Sequence, residues 1–150
     1  MRKGIRTMSA QAQTPLAPVM TYDQMLERVR YDGAYPTRER AERTVRNVLT
    51  ALGGQLTGDE RTELAAHLPV EAARIMTAEA PGTERLTGWG FVKDLATRTG
   101  GTPATTRWDV GTVLALAAHL AGNDLLDRVL AQLPPGYALL FGRAELLQAA

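Results

Sequence analysis

The 150-residue chain has no cysteine, two histidines and a single serine, Ser9. Without cysteine there is no disulfide framework, no thiolate nucleophile and no cysteine-ligated zinc or iron–sulfur centre. With its one serine near the N-terminus, the patterned part of the chain offers no nucleophile for serine-hydrolase chemistry. An excess of one charge is also missing: 17 basic and 16 acidic residues leave a formal charge of +1. That balance exerts no general pull on nucleic acid or anionic lipid. No apolar run approaches the ~20 residues of a spanning helix. The longest weakly polar stretch, Val110–Gly122, is interrupted by His119. After Arg2, Lys3 and Arg6 there is no apolar run of the ~7–15 residues that a secretory signal uses. These absences predict a soluble, cytoplasmic protein with no membrane insertion. Lysine is scarce as well, only Lys3 and Lys93 against 15 arginines, a bias that reads as genome composition rather than selection for phosphate contacts.

What is present is helical periodicity. Residues 1–20 lack it and read as a disordered tail. From Thr21 on, apolar residues recur at i, i+3, i+4 and i+7: Tyr22, Met25, Leu26 and Val29 come first, with Thr21 and Gln24 spaced as a capping box. Ala41, Val45, Val48, Leu49 and Leu52 form the next stripe, opened by Thr37 and stopped at Gly53-Gly54. Thr57 and Glu60 are spaced as a second capping box ahead of Leu64, Ala65 and Leu68. Pro69 then opens a short helix over Val70–Met76. The second half follows with Phe91, Val92, Leu95 and Ala96, then Trp108, Val113, Leu114, Ala117 and Leu120. Leu126, Val129, Leu130 and Leu133 come next, and finally Tyr137, Leu140 and Phe141. No segment alternates with period two, so strands are not expected.

The halves correspond at an offset of 65. Glu63-Leu64-Ala65-Ala66-His67-Leu68-Pro69 lies over Arg128-Val129-Leu130-Ala131-Gln132-Leu133-Pro134, and Val48-Leu49 over Val113-Leu114. Each helix has one apolar stripe that another helix must cover. The expectation is an all-α helical bundle of about eight helices, built from two pseudo-symmetric four-helix repeats. The repeats run over about 21–80 and 86–148, within one domain over 21–150.

Several of these segments carry a family resemblance. Thr-Tyr-Asp-Gln-Met-Leu-Glu-Arg-Val (21–29) precedes Arg-Ala-Glu-Arg-Thr-Val-Arg-Asn-Val-Leu-Thr-Ala-Leu (40–52), then Leu-Thr-Gly-Asp-Glu (56–60) and Leu-Ala-Ala-His-Leu-Pro (64–69). A second Leu-Ala-Gln-Leu-Pro (130–134) precedes Tyr137 and Phe141. In order and spacing the chain resembles the bacterial domain of unknown function 2267 (DUF2267) over about 21–142. The resemblance implies a small all-helical protein, often encoded near stress-related genes, with no established activity and no catalytic residues to carry over. Gly88-Trp89-Gly90 departs from the acidic helix start usual in that family.

Candidate chemistry is sparse. His67 and His119 share the tetrapeptide Ala-Ala-His-Leu, but the repeat places His67 over Gln132 and His119 over Gly54, which argues against paired metal ligands. Carboxylates fall where helices want them: Glu39 and Glu42 are placed for i,i+4 pairs with Arg43 and Arg46, and Asp59 and Glu60 for a first turn. Gly100-Gly101-Thr102 lacks the phosphate-loop pattern. The polar feature that stands out is the run Arg38, Arg40, Arg43 and Arg46 on one helix, interleaved with Glu39 and Glu42. Trp89, between two glycines, is a candidate contact anchor if exposed, and otherwise closes the seam between the repeats. The expectation is a non-enzymatic helical protein-interaction module without cofactor or metal, with a protein partner or a second copy as its ligand. Nucleic-acid binding through the four arginines is the alternative, and a small-molecule pocket between the repeats a third.

Overall fold

The computed structural model describes residues 20–143; apart from Met20, the tail read over 1–20 lies outside the described residues, as does the end of the second repeat beyond Arg143. Eight helices follow in order: α1 (Tyr22–Asp32), α2 (Arg38–Gly53), α3 (Gly58–Ala66), α4 (Val70–Thr77), α5 (Gly88–Thr99), α6 (Pro103–Ala121), α7 (Asn123–Gln132) and α8 (Tyr137–Leu140). No strand occurs among the described residues, and the fold is all-α. No helix among them is long and apolar enough to cross a membrane.

Threonine caps set most of the helix starts. Thr21 and Gln24 close the expected box on α1, Thr37 accepts the Arg40 N–H on α2, and Thr87 accepts the Gly90 N–H on α5. Thr102 and Thr105 form a further box on α6, with Pro103 in its first turn. Each such cap satisfies a backbone donor that the helix itself leaves open. The box expected at Thr57 and Glu60 is not formed. Instead the Thr57 N–H donates to Gln132 Oε1 at 2.9 Å, while Gln132 Nε2 donates to the Thr57 carbonyl at 3.1 Å and to Glu60 Oε1 at 3.2 Å. A glutamine from α7 does the capping because α3 and α7 lie side by side.

The starts of α2 and α6, and of α3 and α7, keep the 65-residue offset of the sequence, and those of α1 and α5 are one residue further apart. α2 and α6 begin at 38 and 103, α3 and α7 at 58 and 123, and α1 and α5 at 22 and 88. The second half carries a longer α6 and a last helix of only 4 residues against 8 in α4. α2 and α6 pack together at the centre; α1 and α4 lean on α2, and α5, α7 and α8 on α6. Contacts also cross between the halves, α1 with α6, α2 with α5 and α3 with α7. Glu63 and Arg128, which the repeat aligns, meet there in a two-point pair at 2.8 and 3.0 Å.

The core is one continuous cluster drawn from both halves, from Met25 and Val29 through Leu49 and Leu52 to Val113, Leu114, Tyr137 and Phe141. Trp108 and, more mildly, Tyr22, Ala65, Leu120 and Leu130 depart from the fully buried stripes expected. Trp108 is 55% exposed and Leu116 takes a buried place on α6 instead. On α7, Leu125 is buried while Leu130 is only partly so.

Close crossings depend on glycine at two points. A Cβ on Gly88 would overlap the backbone of Gly136, and Gly88 donates its N–H to Pro135 at 2.8 Å, joining the starts of α5 and α8. Gly136 there has φ 101°, in the left-handed region that favours glycine. At the other crossing, a Cβ on Gly53 would overlap the Met76 carbonyl oxygen. The Arg61 guanidinium closes that joint by donating to the carbonyls of Gly53, Met76 and Glu79 at 3.2, 3.3 and 2.6 Å. It thereby serves acceptors that the ends of α2 and α4 leave open.

Gly53→Ala is therefore expected to cost about 1–3 kcal/mol in urea unfolding, as overpacked sites do. The neighbouring Gly54→Ala, whose Cβ meets only the Ala51 carbonyl at 3.4 Å, is expected to stay within about 0.5 kcal/mol of the parent. Equal losses for the two would contradict the close α2–α4 crossing.

Candidate functional site

The α1–α2 loop is fastened to consecutive residues of α6. Tyr35, only 7% exposed, inserts from the loop and donates its O–H to Asp109 Oδ1 at 2.6 Å. The Trp108 indole N–H donates to the Gly33 carbonyl at 3.0 Å. A Cβ on Gly33 would overlap the Tyr35 ring, and Ala34 sits at φ 56° in the left-handed region. The loop thus accepts a strained residue to place the Tyr35 ring inside. Burial, followed by the bond to Asp109, pushes the Tyr35 phenol well above its usual pKa. Arg40 lies over the Tyr35 ring at 5.5 Å from the centroid and 3.9 Å from Asp109 Oδ2.

This arrangement divides the four arginines. Arg38 pairs with Asp23 at the start of α1, Arg46 pairs with Glu42 at 3.3 Å, and Arg40 faces Asp109. The i,i+4 pair expected between Glu39 and Arg43 is not formed, and the Arg43 side chain, exposed, has no partner among the described residues. Arg40 and Arg43 line a cleft of about 200 Å³ with Thr44, Asn47 and Asp109 on one side and Thr99-Gly100-Gly101 on the other. Arg38 and Arg46 do not belong to it.

On the other side of Trp108 lies a larger, mostly apolar cleft of about 500 Å³. Its lining includes Asp32, Arg107, Gly111, Thr112, Ala115, Leu139 and Gly142. Trp108 and Leu139 stand 55% and 54% exposed at its edge. Tyr31, next in the chain to Asp32, is more exposed still at 79%. Trp108, which the apolar stripe placed in the core, is instead half-exposed, with its indole N–H bound to the loop carbonyl of Gly33. Trp89 is 58% exposed, with the Lys93 ammonium 5.9 Å from its ring centroid. At the start of α5 it is Gly88 against Gly136 and Phe91 edge-on to Tyr137, 5.6 Å between ring centroids, that pack, all within the second half. Both histidines are exposed; His67 Nδ1 lies 2.8 Å from the Glu63 carbonyl oxygen.

Tyr35, Asp109, Thr99 and Gly100 are the site residues that reading the sequence missed. Tyr35 carried a signal, an aromatic residue between Ala34 and Pro36 in a loop whose neighbours give no periodicity. Asp109 had one too, as the acid on an otherwise apolar stripe. The Thr99-Gly100 turn had none beyond its reading as a helix stop.

A family model described as "Uncharacterized conserved protein (DUF2267)" matches residues 22–140. No curated protein matches the chain.

Alkaline titration tests the tyrosine network. Tyr22, half-buried beside Glu42, is pushed up to about 12, chiefly by burial, and Tyr35 and Tyr137 are raised further. Each phenol ionises less readily in the folded state, so their stabilisation is complete below the ordinary pKa of about 10 and is lost as pH climbs through the folded values. The urea midpoint is expected to hold to about pH 9.5 and fall steeply above it. Tyr35→Phe should cost about 1–2 kcal/mol at pH 7 and make that decline shallower. An unchanged slope in this variant would show that Tyr35 is not held neutral by the fold.

Proposed function

The chain belongs to the DUF2267 family, and on that footing we propose that it is a non-enzymatic helical association module whose partner at the Trp108 cleft is a second copy of the same chain. The carrying observation is the Trp108 indole, more than half exposed beside an apolar recess with Leu139 next to it. Tryptophan brings a large contact area at little entropic cost and is enriched among residues that dominate binding.

A twofold interface needs knob and hole on the same face, because each copy presents the same patch. Trp108 and Leu139 supply the knobs, and the small residues Gly111, Ala115 and Gly142 line the recess beside them. Arg107 and Asp32 place opposite charges on one rim, which suits a patch meeting its own copy. In support of a non-enzymatic role, the buried Tyr35 is used to fasten a loop to Asp109. The stress-associated setting implied by the family resemblance belongs to the same proposal. Nucleic-acid contact through α2 is the weaker reading, since Arg38, Arg40 and Arg46 each face a carboxylate and form no continuous positive track.

Sedimentation velocity across roughly 5–500 µM, the range in which modest interfaces associate, is the test. A dimer is expected, and Trp108→Glu and Leu139→Glu should each return monomers with the helical content intact. A monomer throughout, or a dimer indifferent to both substitutions, would refute the proposal.

A further inference from the structure

The geometry points to a second site, independent of the Trp108 face: the cleft between α2 and the α5–α6 turn binds a terminal phosphate group, with Arg43, Arg40 and Asn47 as its donors. Three observations carry this. The first is an unmet donor set on one wall. Arg43 and Asn47 both line a cleft of about 200 Å³, and neither side chain has a partner among the described residues. A guanidinium presents a planar fork of N–H groups matched to phosphate oxygens, and a carboxamide adds a neutral donor.

The second is preorganisation of Arg40. The Tyr35 ring beneath it and Asp109 beside it hold the guanidinium at the cleft. Asp109 would repel an anion if its charge were free, but Oδ1 accepts the Tyr35 hydroxyl and Oδ2 faces Arg40. Arg43 is left as the uncompensated positive charge of the cleft.

The third is an open opposite wall. Gly100 has φ 75°, and a Cβ placed on it would meet nothing within 4 Å. Gly100 and Gly101 line the cleft without adding a side chain to it. Its amides are already engaged, as Gly101 donates to Ala96 at 3.0 Å and the Thr102–Thr105 box serves the start of α6. Recognition accordingly falls to the side chains of α2. By the same repeat offset, Arg43 corresponds to Trp108 and Asn47 to Thr112, so the second half has no equivalent donor set.

A terminal phosphomonoester or inorganic phosphate fits better than the phosphodiester backbone of a nucleic acid. The arginines to either side, Arg38 and Arg46, are neutralised by Asp23 and Glu42. The positive charge is a point in a recess rather than a track along a helix.

The test is a titration of the full chain with sodium phosphate at constant ionic strength, following the backbone amides of Gly100 and Gly101 and the side-chain amide of Asn47 by NMR. The expected result is a saturable shift with a dissociation constant in the millimolar range, as suits a small, partly open ion site. Arg43→Gln should weaken it at least tenfold, whereas Arg74→Gln, at an exposed position on α4, should leave it unchanged. Sodium sulfate tests generic anion binding, and a short DNA duplex tests the phosphodiester source. Shifts that do not saturate, or that persist in Arg43→Gln, would overturn the proposal. So would a duplex that shifts the same amides at lower concentration than phosphate. Because neither Gln substitution touches the Trp108 face, the result stands apart from the oligomeric state.

Discussion

Mutual burial of α2 and α6 is the constraint from which the other placements follow. Both helices are long, both have one wide apolar stripe, and neither can leave it in water. Val45, Val48, Leu49 and Leu52 on one, and Val110, Val113, Leu114 and Ala117 on the other, are essentially fully buried. Each buried valine and leucine among them contributes about 1.5–3 kcal/mol. Once the pair is formed, the remaining flanks need cover, and the shorter helices are the right length to give it. Their entry angles are then set locally, by threonine caps and by glycines where backbones must cross closely.

A duplicated unit facing its copy would place each residue near the contact against its own equivalent. Identical residues there waste the opportunity, since like charges repel and a donor cannot satisfy a donor. Here the positions aligned by the sequence offset are complementary. Glu63 meets Arg128, and Gln132, aligned with His67, caps the start of α3. The surfaces differ as well: at the offset of 65, Arg43 and Asn47 correspond to Trp108 and Thr112.

Trp108 and Asp109 show how one turn of helix can serve two surfaces. The indole fastens the α1–α2 loop by its nitrogen and presents its ring to the apolar cleft. The carboxylate, next in sequence and so turned about 100° around the helix, anchors Tyr35 and positions Arg40 over the polar cleft. The strained loop at Ala34 is tolerated because both anchors hold it.

Much of the fold was legible in the sequence. Helix number, most boundaries, the caps at Thr21 and Thr37, and the positions of Met25, Leu49, Leu64, Val113 and Tyr137 in the core all follow from periodicity and capping rules. These act within one or two turns of chain, so local sequence determines them. The same local rules misplaced Trp108, because a stripe shows which face is apolar and not how far a neighbouring helix extends to cover it. They also gave Thr57 the wrong partner, since a cap 75 residues away leaves no local mark. The arginine run was visible as a run, but which of its members are free was decided by Asp23, Asp109 and Glu42. In the sequence Asp23 and Asp109 are distant from the arginines they neutralise. The sequence by itself determined the helices and the inward faces; only the tertiary structure decided which polar groups are spent on each other and which remain to meet a ligand, because that pairing depends on residues brought together through space.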